Sequence, residues 1–174
     1  KLYDLSVVLI HFILFAGVIS FRDISSHRIK KREVYLALVT IAPFLHLNSF
    51  LFAAVNGALY TGIRRFSSNQ LGKGDVRLAP LIGVYISMYE EEIGETFVVN
   101  LMTWSLAGVV ALYLMLKGKN RAHYRIPFAP FMFLGVVVHG TAQIAAEKCS
   151  PSAIIVQCVG LLQENLTAQL SLAS

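Results

Sequence analysis

Six long apolar runs separated by short loops constrain this chain more than any other feature. They cover residues 5–21, 34–47, 50–63, 76–89, 97–116 and 127–146. The chain is 56% hydrophobic and 14% charged, whereas soluble domains are about 45–50% apolar and about 25% charged. A membrane helix needs roughly 20 apolar residues. We therefore predict an all-α integral membrane protein, a polytopic bundle of about six transmembrane helices.

The lysines and arginines mark alternate loops of this predicted bundle. They lie in or directly next to the loops that follow the first, third and fifth runs, and of the 15 in the chain only Lys1 and Lys148 lie elsewhere. Because cytoplasmic loops carry the excess of basic residues, we predict an N-terminus outside the cytoplasm. Basic residues scattered between loops do not form one binding face, so no nucleic-acid partner is expected. We predict a six-helix core over 1–147 and a C-terminal segment, 148–174, of uncertain structure.

Two aspartates lie at the cytoplasmic ends of apolar runs in this topology. Asp23 follows the first run, and Asp75 precedes the fourth. An acid at the edge of a membrane helix is costly and calls for a functional explanation. Two carboxylates that share a proton titrate apart, which supplies one acid and one base for peptide hydrolysis. Gly72 and Gly74, beside Asp75, would let a substrate backbone approach closely.

Each aspartate also has a structural interpretation. Asp75 could cap the fourth helix, and Asp23 could pair with Arg22 or Arg28 at the interface. His27, four residues after Asp23, is a candidate for tuning that acid. The sequence leaves open whether the first and fourth helices are neighbours.

Three segments resemble the type IV prepilin peptidases, membrane aspartic proteases of the GxGD class. The first is Gly72-Lys73-Gly74-Asp75-Val76-Arg77-Leu78, similar to the family's Gly-x-Gly-Asp-Val-Lys-Leu signature. The second runs from Asp23 to Ile29 and resembles the first catalytic segment. The third, Ile126-Pro127-Phe128-Ala129-Pro130-Phe131, is similar to an Ile-Pro-Phe-Gly-Pro-Phe segment. The three matches occur in family order.

The resemblance implies an endopeptidase that removes the basic leader of prepilins or pseudopilins at the cytoplasmic face of a prokaryotic inner membrane. It implies catalytic roles for Asp23 and Asp75. Nothing in the sequence matches the family's cysteine-paired methylation domain, so we expect cleavage without methyl transfer, as in tight-adherence and preflagellin peptidases. Cys149 and Cys158 lack zinc-site spacing, and no metal or cofactor is expected.

Two alternatives remain at this level. One is a GxGD protease of broader specificity, although such enzymes place both acids deeper within apolar helices. The other is a transporter or a secretion-assembly subunit that uses the acids to carry protons or to bind a partner. The particular substrate and the oligomeric state are not predicted.

Overall fold

A computed structural model describes residues 2–67, 71–117 and 126–148. Within these ranges the regular secondary structure is all helical, as predicted, and loops connect the helices. Cys149, Cys158 and residues 149–174 of the C-terminal segment lie outside them. The helices are α1 (Leu2–Ser26), α2 (Lys31–Ile41), a short 3-10 helix (Ala42–Phe44), α3 (Leu47–Phe66), α4 (Lys73–Ser87), α5 (Gly94–Leu116) and α6 (Ala129–Lys148).

Two of these helices are long and apolar enough to cross a membrane. They cover Ser6–Ser26 and Gly94–Leu116. Both carry many exposed apolar side chains, such as Ile10 on α1 and Leu101 on α5. A helix that is apolar on its outer surface is typical of contact with lipid.

The second apolar run forms a shorter helix than its length suggests. It is divided between α2, which has 11 residues, and the 3-10 helix that contains Pro43. Proline has no amide hydrogen for the carbonyl four residues earlier. At this point the amide of Ala42 bonds to the carbonyl of Val39, which tightens the last turn. The α-helix therefore ends before the run of apolar residues does.

The first helix continues beyond the apolar run and includes Asp23 in its last turn. It ends at Ser26, and His27 follows with a φ of 49°. A residue in this left-handed region commonly ends a helix. The amide of His27 bonds to the carbonyl of Asp23 at 2.9 Å. His27 therefore turns the chain toward α2 directly after the acid.

Helix α4 is the buried centre of the unit formed by Lys1–Val138. Its residues from Leu78 to Ile86 are buried, apart from the half-buried Pro80. The most extensive contact is with α3. A Cβ atom added to Gly83 would lie 2.9 Å from the Cα of Ala53 on α3. The two backbones approach this closely because Gly83 has no side chain.

Polar side chains connect the helices inside this core. The Asn56 side chain on α3 donates to the carbonyl of Ala79 on α4 at 2.7 Å. Asn100 on α5 donates to the side-chain oxygen of Asn56, also at 2.7 Å. All three residues are buried. Hydrogen bonds of this kind stabilise contacts between apolar helices.

Helices α1 and α4 are in contact, which the sequence alone does not reveal. Near the middle of α1, the Nδ1 atom of His11 hydrogen-bonds with the Tyr85 hydroxyl at 3.0 Å. The rings of Phe12 and Tyr85 meet edge to face with centroids 4.8 Å apart. These contacts align the helices that carry Asp23 and Asp75. The second compact unit, His139–Ser174, contains the C-terminal half of α6.

Candidate active site

Asp75 is the third residue of α4, not its N-cap. Gly72 holds the N-cap position in an extended conformation, with φ −61° and ψ 140°. The Asp75 carboxylate turns back toward this residue and hydrogen-bonds to the Gly72 backbone. A hydrogen bond from the N-cap amide to the side chain of the third helical residue is one of the two bonds of a capping box. The structural interpretation of Asp75 as the N-cap is therefore wrong, although the side chain supports the helix start.

Gly72 leaves the space that the Asp75 carboxylate occupies. A Cβ atom added to Gly72 would lie 2.6 Å from Oδ2 of Asp75. That separation is below any normal contact between these atoms, so a side chain here would move the carboxylate. The φ of Gly72 is accessible to any residue. The glycine is needed for space and not for its backbone conformation.

Gly74 brings α4 against the segment that follows Asp23. A Cβ atom added to Gly74 would lie 3.0 Å from the Cβ atom of Ile29. Ile29 lies between His27 and the start of α2 at Lys31. The two motifs recognised in the sequence therefore touch through Gly74 and Ile29.

Asp23 is buried and forms a hydrogen bond to a third segment. Its Oδ2 atom accepts the backbone amide of Ala129 at 2.9 Å, and only 6% of the residue is exposed. Ala129 is the first residue of α6. The free amides at a helix N-terminus carry a partial positive charge that favours an anion. The Ile126–Phe131 segment thus supplies a group that stabilises a negative charge on Asp23.

Arg22, one of the two alternative partners predicted for Asp23, binds elsewhere. Nε of Arg22 pairs with Oε1 of Glu33 at 2.8 Å. This ion pair connects the C-terminal part of α1 to the first turn of α2. Arg22 therefore helps to shape the turn around Asp23.

The two aspartates are close enough for the charge of one to act on the other. Asp75 lies in the turn that precedes the apolar stretch starting at Val76. Burial, followed by the negative charge of Asp23, raises the pKa of Asp75 from 3.8 to about 7, and the hydrogen bond to Gly72 opposes the rise. The pair therefore combines an acid that is still partly protonated at neutral pH with a carboxylate that accepts an amide at a helix N-terminus.

Sequence reasoning missed two groups. They are the Ala129 amide and the side chain of Tyr60 on α3, which interacts electrostatically with Asp75. The resemblance around Ile126–Phe131 pointed to the first without showing its partner. Tyr60 is a single tyrosine within an apolar run, and no pattern distinguished it from a core residue. Among the described residues, no three His, Cys, Asp or Glu side chains are grouped in a way that could hold a metal ion.

The comparison with protein families agrees with the motifs. The model of the type IV leader peptidase family matches residues 10–116, which is more than half of the chain. The chain belongs to the type IV leader peptidase family. Both aspartates lie within the matched region, whereas Ala129 lies beyond it. No curated protein and no solved structure gives a significant match.

Membership in the leader peptidase family places the chain among membrane-associated peptidases with prepilin-like substrates. It agrees with the two apolar helices, α1 and α5. It also favours a peptidase over the transporter and assembly-subunit alternatives. For a leader peptidase, a pair of acids from separate helices is chemically informative, since hydrolysis can proceed on two carboxylates alone.

Proposed function

We propose that this chain is an aspartic endopeptidase that removes the basic leader peptide of type IV prepilins or pseudopilins. Asp23 and Asp75 form the catalytic pair, and Gly72 and Gly74 border the substrate position. The observation that carries the proposal is the approach of Asp23 and Asp75, which are far apart in sequence and on different helices. The charge of one acts on the other.

Their environments assign different roles to the two acids. Asp23 accepts the Ala129 amide at the N-terminus of α6, where the free amides carry a partial positive charge. Asp75 has a raised pKa because of burial and the charge of Asp23. Asp23 is therefore the general base and Asp75 the general acid. Pairs of acids whose titrations are driven apart are typical of this division.

The first chemical step consumes one water molecule. Asp23 takes a proton from the water as its oxygen attacks the carbonyl carbon of the scissile bond. Asp75 gives its proton to the carbonyl oxygen, which leaves a neutral tetrahedral diol. In the second step Asp23 gives its proton to the nitrogen as the C–N bond breaks. Asp75 takes a proton back from a hydroxyl group of the diol, which leaves a carboxyl group on the leader. The pair ends with the same total number of protons as at the start.

The site lies at the cytoplasmic boundary of the inner membrane of a prokaryote in this proposal. It assumes six spans with the N-terminus outside, so that the basic loops and both acids share one face. The exposed apolar surfaces of α1 and α5 support contact with lipid. A substrate with a basic leader followed by a hydrophobic helix would present its cleavage site at this depth.

The peptidase core is assigned to residues 1–147, with 148–174 as a C-terminal segment of uncertain role. Cleavage without methyl transfer stays a prediction. It is tested by adding a methyl donor to the cleavage reaction and measuring the mass of the cleaved pilin by mass spectrometry. A mass increase of one methyl group would contradict it.

The test is cleavage of a prepilin by purified protein in detergent or lipid. Wild type is compared with Asp23→Asn, Asp75→Asn and the control Glu91→Gln, which changes an exposed acid in the α4–α5 loop. We expect cleavage by wild type and the control, and loss of at least about a thousandfold in either Asn variant. Folded wild type that cleaves none of several prepilins would contradict the proposed activity. Cleavage by both Asn variants at the wild-type rate would contradict the catalytic pair.

A further inference from the structure

Tyr60 is a fully buried tyrosine of α3. It lies one turn beyond Asn56, which bonds to Ala79, so the antiparallel pairing of α3 with α4 continues from Tyr60 toward the turn that carries Asp75. Its hydroxyl group makes no hydrogen bond of normal geometry with any of the described residues. A buried hydroxyl group without a partner costs free energy, and each such group in a native protein needs an explanation. The position of this side chain therefore calls for one.

The surroundings of Tyr60 connect it to both aspartates. Its ring is tilted against Trp104 of α5, with centroids 6.2 Å apart, and against Phe128, with centroids 6.3 Å apart. Phe128 directly precedes Ala129, whose amide binds Asp23. The Tyr60 side chain also interacts electrostatically with the carboxylate of Asp75.

The neighbouring Trp104 side chain does not accept a hydrogen bond from the Tyr60 hydroxyl group. The indole N–H is a donor only. Its interaction with the Tyr60 oxygen therefore leaves the proton of the hydroxyl group available. The Asp75 carboxylate is the charged acceptor that interacts with this side chain.

We propose that Tyr60 is a positioning residue for the leader peptidase reaction, donating a hydrogen bond to the Asp75 carboxylate whenever that group is ionised. Asp75 loses its proton when it acts as the acid and must regain it in each turnover. A donor at a fixed position would hold the carboxylate in one orientation while the proton is absent. This role in turnover rests on the proposed function, whereas the hydrogen bond itself does not.

Several other groups surround Asp75 and affect its charge. Asp23 comes from α1, and Arg64 of α3 donates from Nη1 to the carbonyl of Leu71, next to Gly72, at 3.2 Å. Lys73 and Arg77 are neighbours on α4 itself. A test must therefore isolate the effect of the Tyr60 hydroxyl group from the effects of these charges.

The test is a double-mutant cycle on the pH dependence of unfolding. Thermal unfolding of the full chain in detergent is followed between pH 4 and 9 for wild type, Tyr60→Phe, Asp75→Asn and the double variant. Loss of a donor to the ionised carboxylate would make Asp75 hold its proton more strongly. In wild type, stability falls as Asp75 loses its proton with rising pH. We expect this fall to end about one pH unit higher in Tyr60→Phe, because one hydrogen bond to a charged group shifts a pKa by about that amount. This difference should vanish in the Asp75→Asn background.

Tyr85→Phe is the matched control for the loss of a buried tyrosine hydroxyl group. Tyr85 is also buried, on α4, but its hydroxyl group hydrogen-bonds with His11. We expect a change in its overall stability without a change in the pH window. Equal, pH-independent effects of Tyr60→Phe and Tyr85→Phe would overturn the proposal. A Tyr60→Phe shift that persists in the Asp75→Asn background would also overturn it.

Prepilin cleavage by the same variants gives a second readout. In Tyr60→Phe we expect kcat to fall roughly tenfold, with KM unchanged. The alkaline limb of the pH profile should move to higher pH, as the unfolding curve does. An unaltered kcat and pH profile would overturn the role in turnover. If wild type cleaves no prepilin but the unfolding shift appears, the Tyr60–Asp75 contact stands and the proposed function fails.

Discussion

Asp23 and Ala129 are joined by a hydrogen bond between a side-chain carboxylate and a backbone amide, 106 residues apart in sequence and 2.9 Å apart in space. The bond fastens the last turn of α1 to the first turn of α6. It serves the fold because it satisfies an amide at the start of a helix. In the proposed enzyme it also serves the chemistry because it stabilises charge on the base.

Different replacements of Asp23 should separate these two roles. Asparagine retains a side-chain oxygen that can accept the Ala129 amide, whereas alanine leaves this buried amide without a partner. We expect Asp23→Asn to unfold close to wild type and Asp23→Ala to lose roughly 1–3 kcal/mol of stability. Both should lack peptidase activity. Thermal or denaturant unfolding in detergent measures the difference, and equal stabilities would contradict the capping role of the carboxylate.

The proposed acid gives the cleavage rate a defined pH dependence. Asp75 must be protonated to act, and its pKa is raised to about 7 by burial and by Asp23. The rate should therefore decrease as pH rises through about 7. A pH profile of prepilin cleavage tests this, with substrate binding measured separately at each pH. A rate that rises steadily from pH 6 to pH 9 would contradict the assignment of Asp75 as the acid.

The raised pKa of Asp75 also links the stability of the fold to pH. The folded state binds this proton more strongly than the unfolded state, in which the pKa is near 3.8. The contribution of this proton to the free energy of unfolding is therefore greatest below pH 4 and is lost as pH rises toward about 7. We expect Asp75→Asn to be more stable than wild type at pH 8 and to show a weaker decline between pH 4 and 7. Lower stability at pH 8 would indicate that the bond to Gly72 dominates.

Gly72→Ala should impair catalysis more than folding. The new methyl group would displace the Asp75 carboxylate, which lies 2.6 Å from the position of the added Cβ atom. A small displacement of a catalytic group can cost about a hundredfold in rate. Gly62→Ala, on α3, is the control because nothing lies within 4 Å of its added Cβ atom. Cleavage rates and unfolding temperatures of both variants test this, and full activity of Gly72→Ala would contradict it.

Gly83→Ala should separate α3 from α4. Its added Cβ atom would lie 2.8 Å from the carbonyl carbon of Phe52 and 2.9 Å from the Cα atom of Ala53. Backbone atoms cannot move aside as a flexible side chain can, so we expect a loss of about 1–3 kcal/mol in stability. Gly17→Ala on α1 has open space and is the control. Equal stability of the two variants would contradict the close approach of these helices.

Much of the secondary structure was predictable from the sequence. Most residues of each of the six apolar runs are helical, because long apolar runs favour helices over strands. The ends of the helices were less predictable. Pro43 shortened α2, and the left-handed His27 placed the end of α1 beyond Asp23. The early end of α2 and the late end of α1 both depend on the local backbone conformation, which the pattern of apolar residues does not predict.

The sequence by itself determined the helical fold class, the family motifs and the two acids proposed for catalysis. Only the tertiary structure decided that α1 and α4 are neighbours, that the Ala129 amide binds Asp23, and that Tyr60 and Asp75 interact electrostatically. The physical reason is that motifs and apolar periodicity are properties of short segments. Which buried side chains meet depends instead on how several helices pack at once, and on glycines such as Gly83 that allow their backbones to touch.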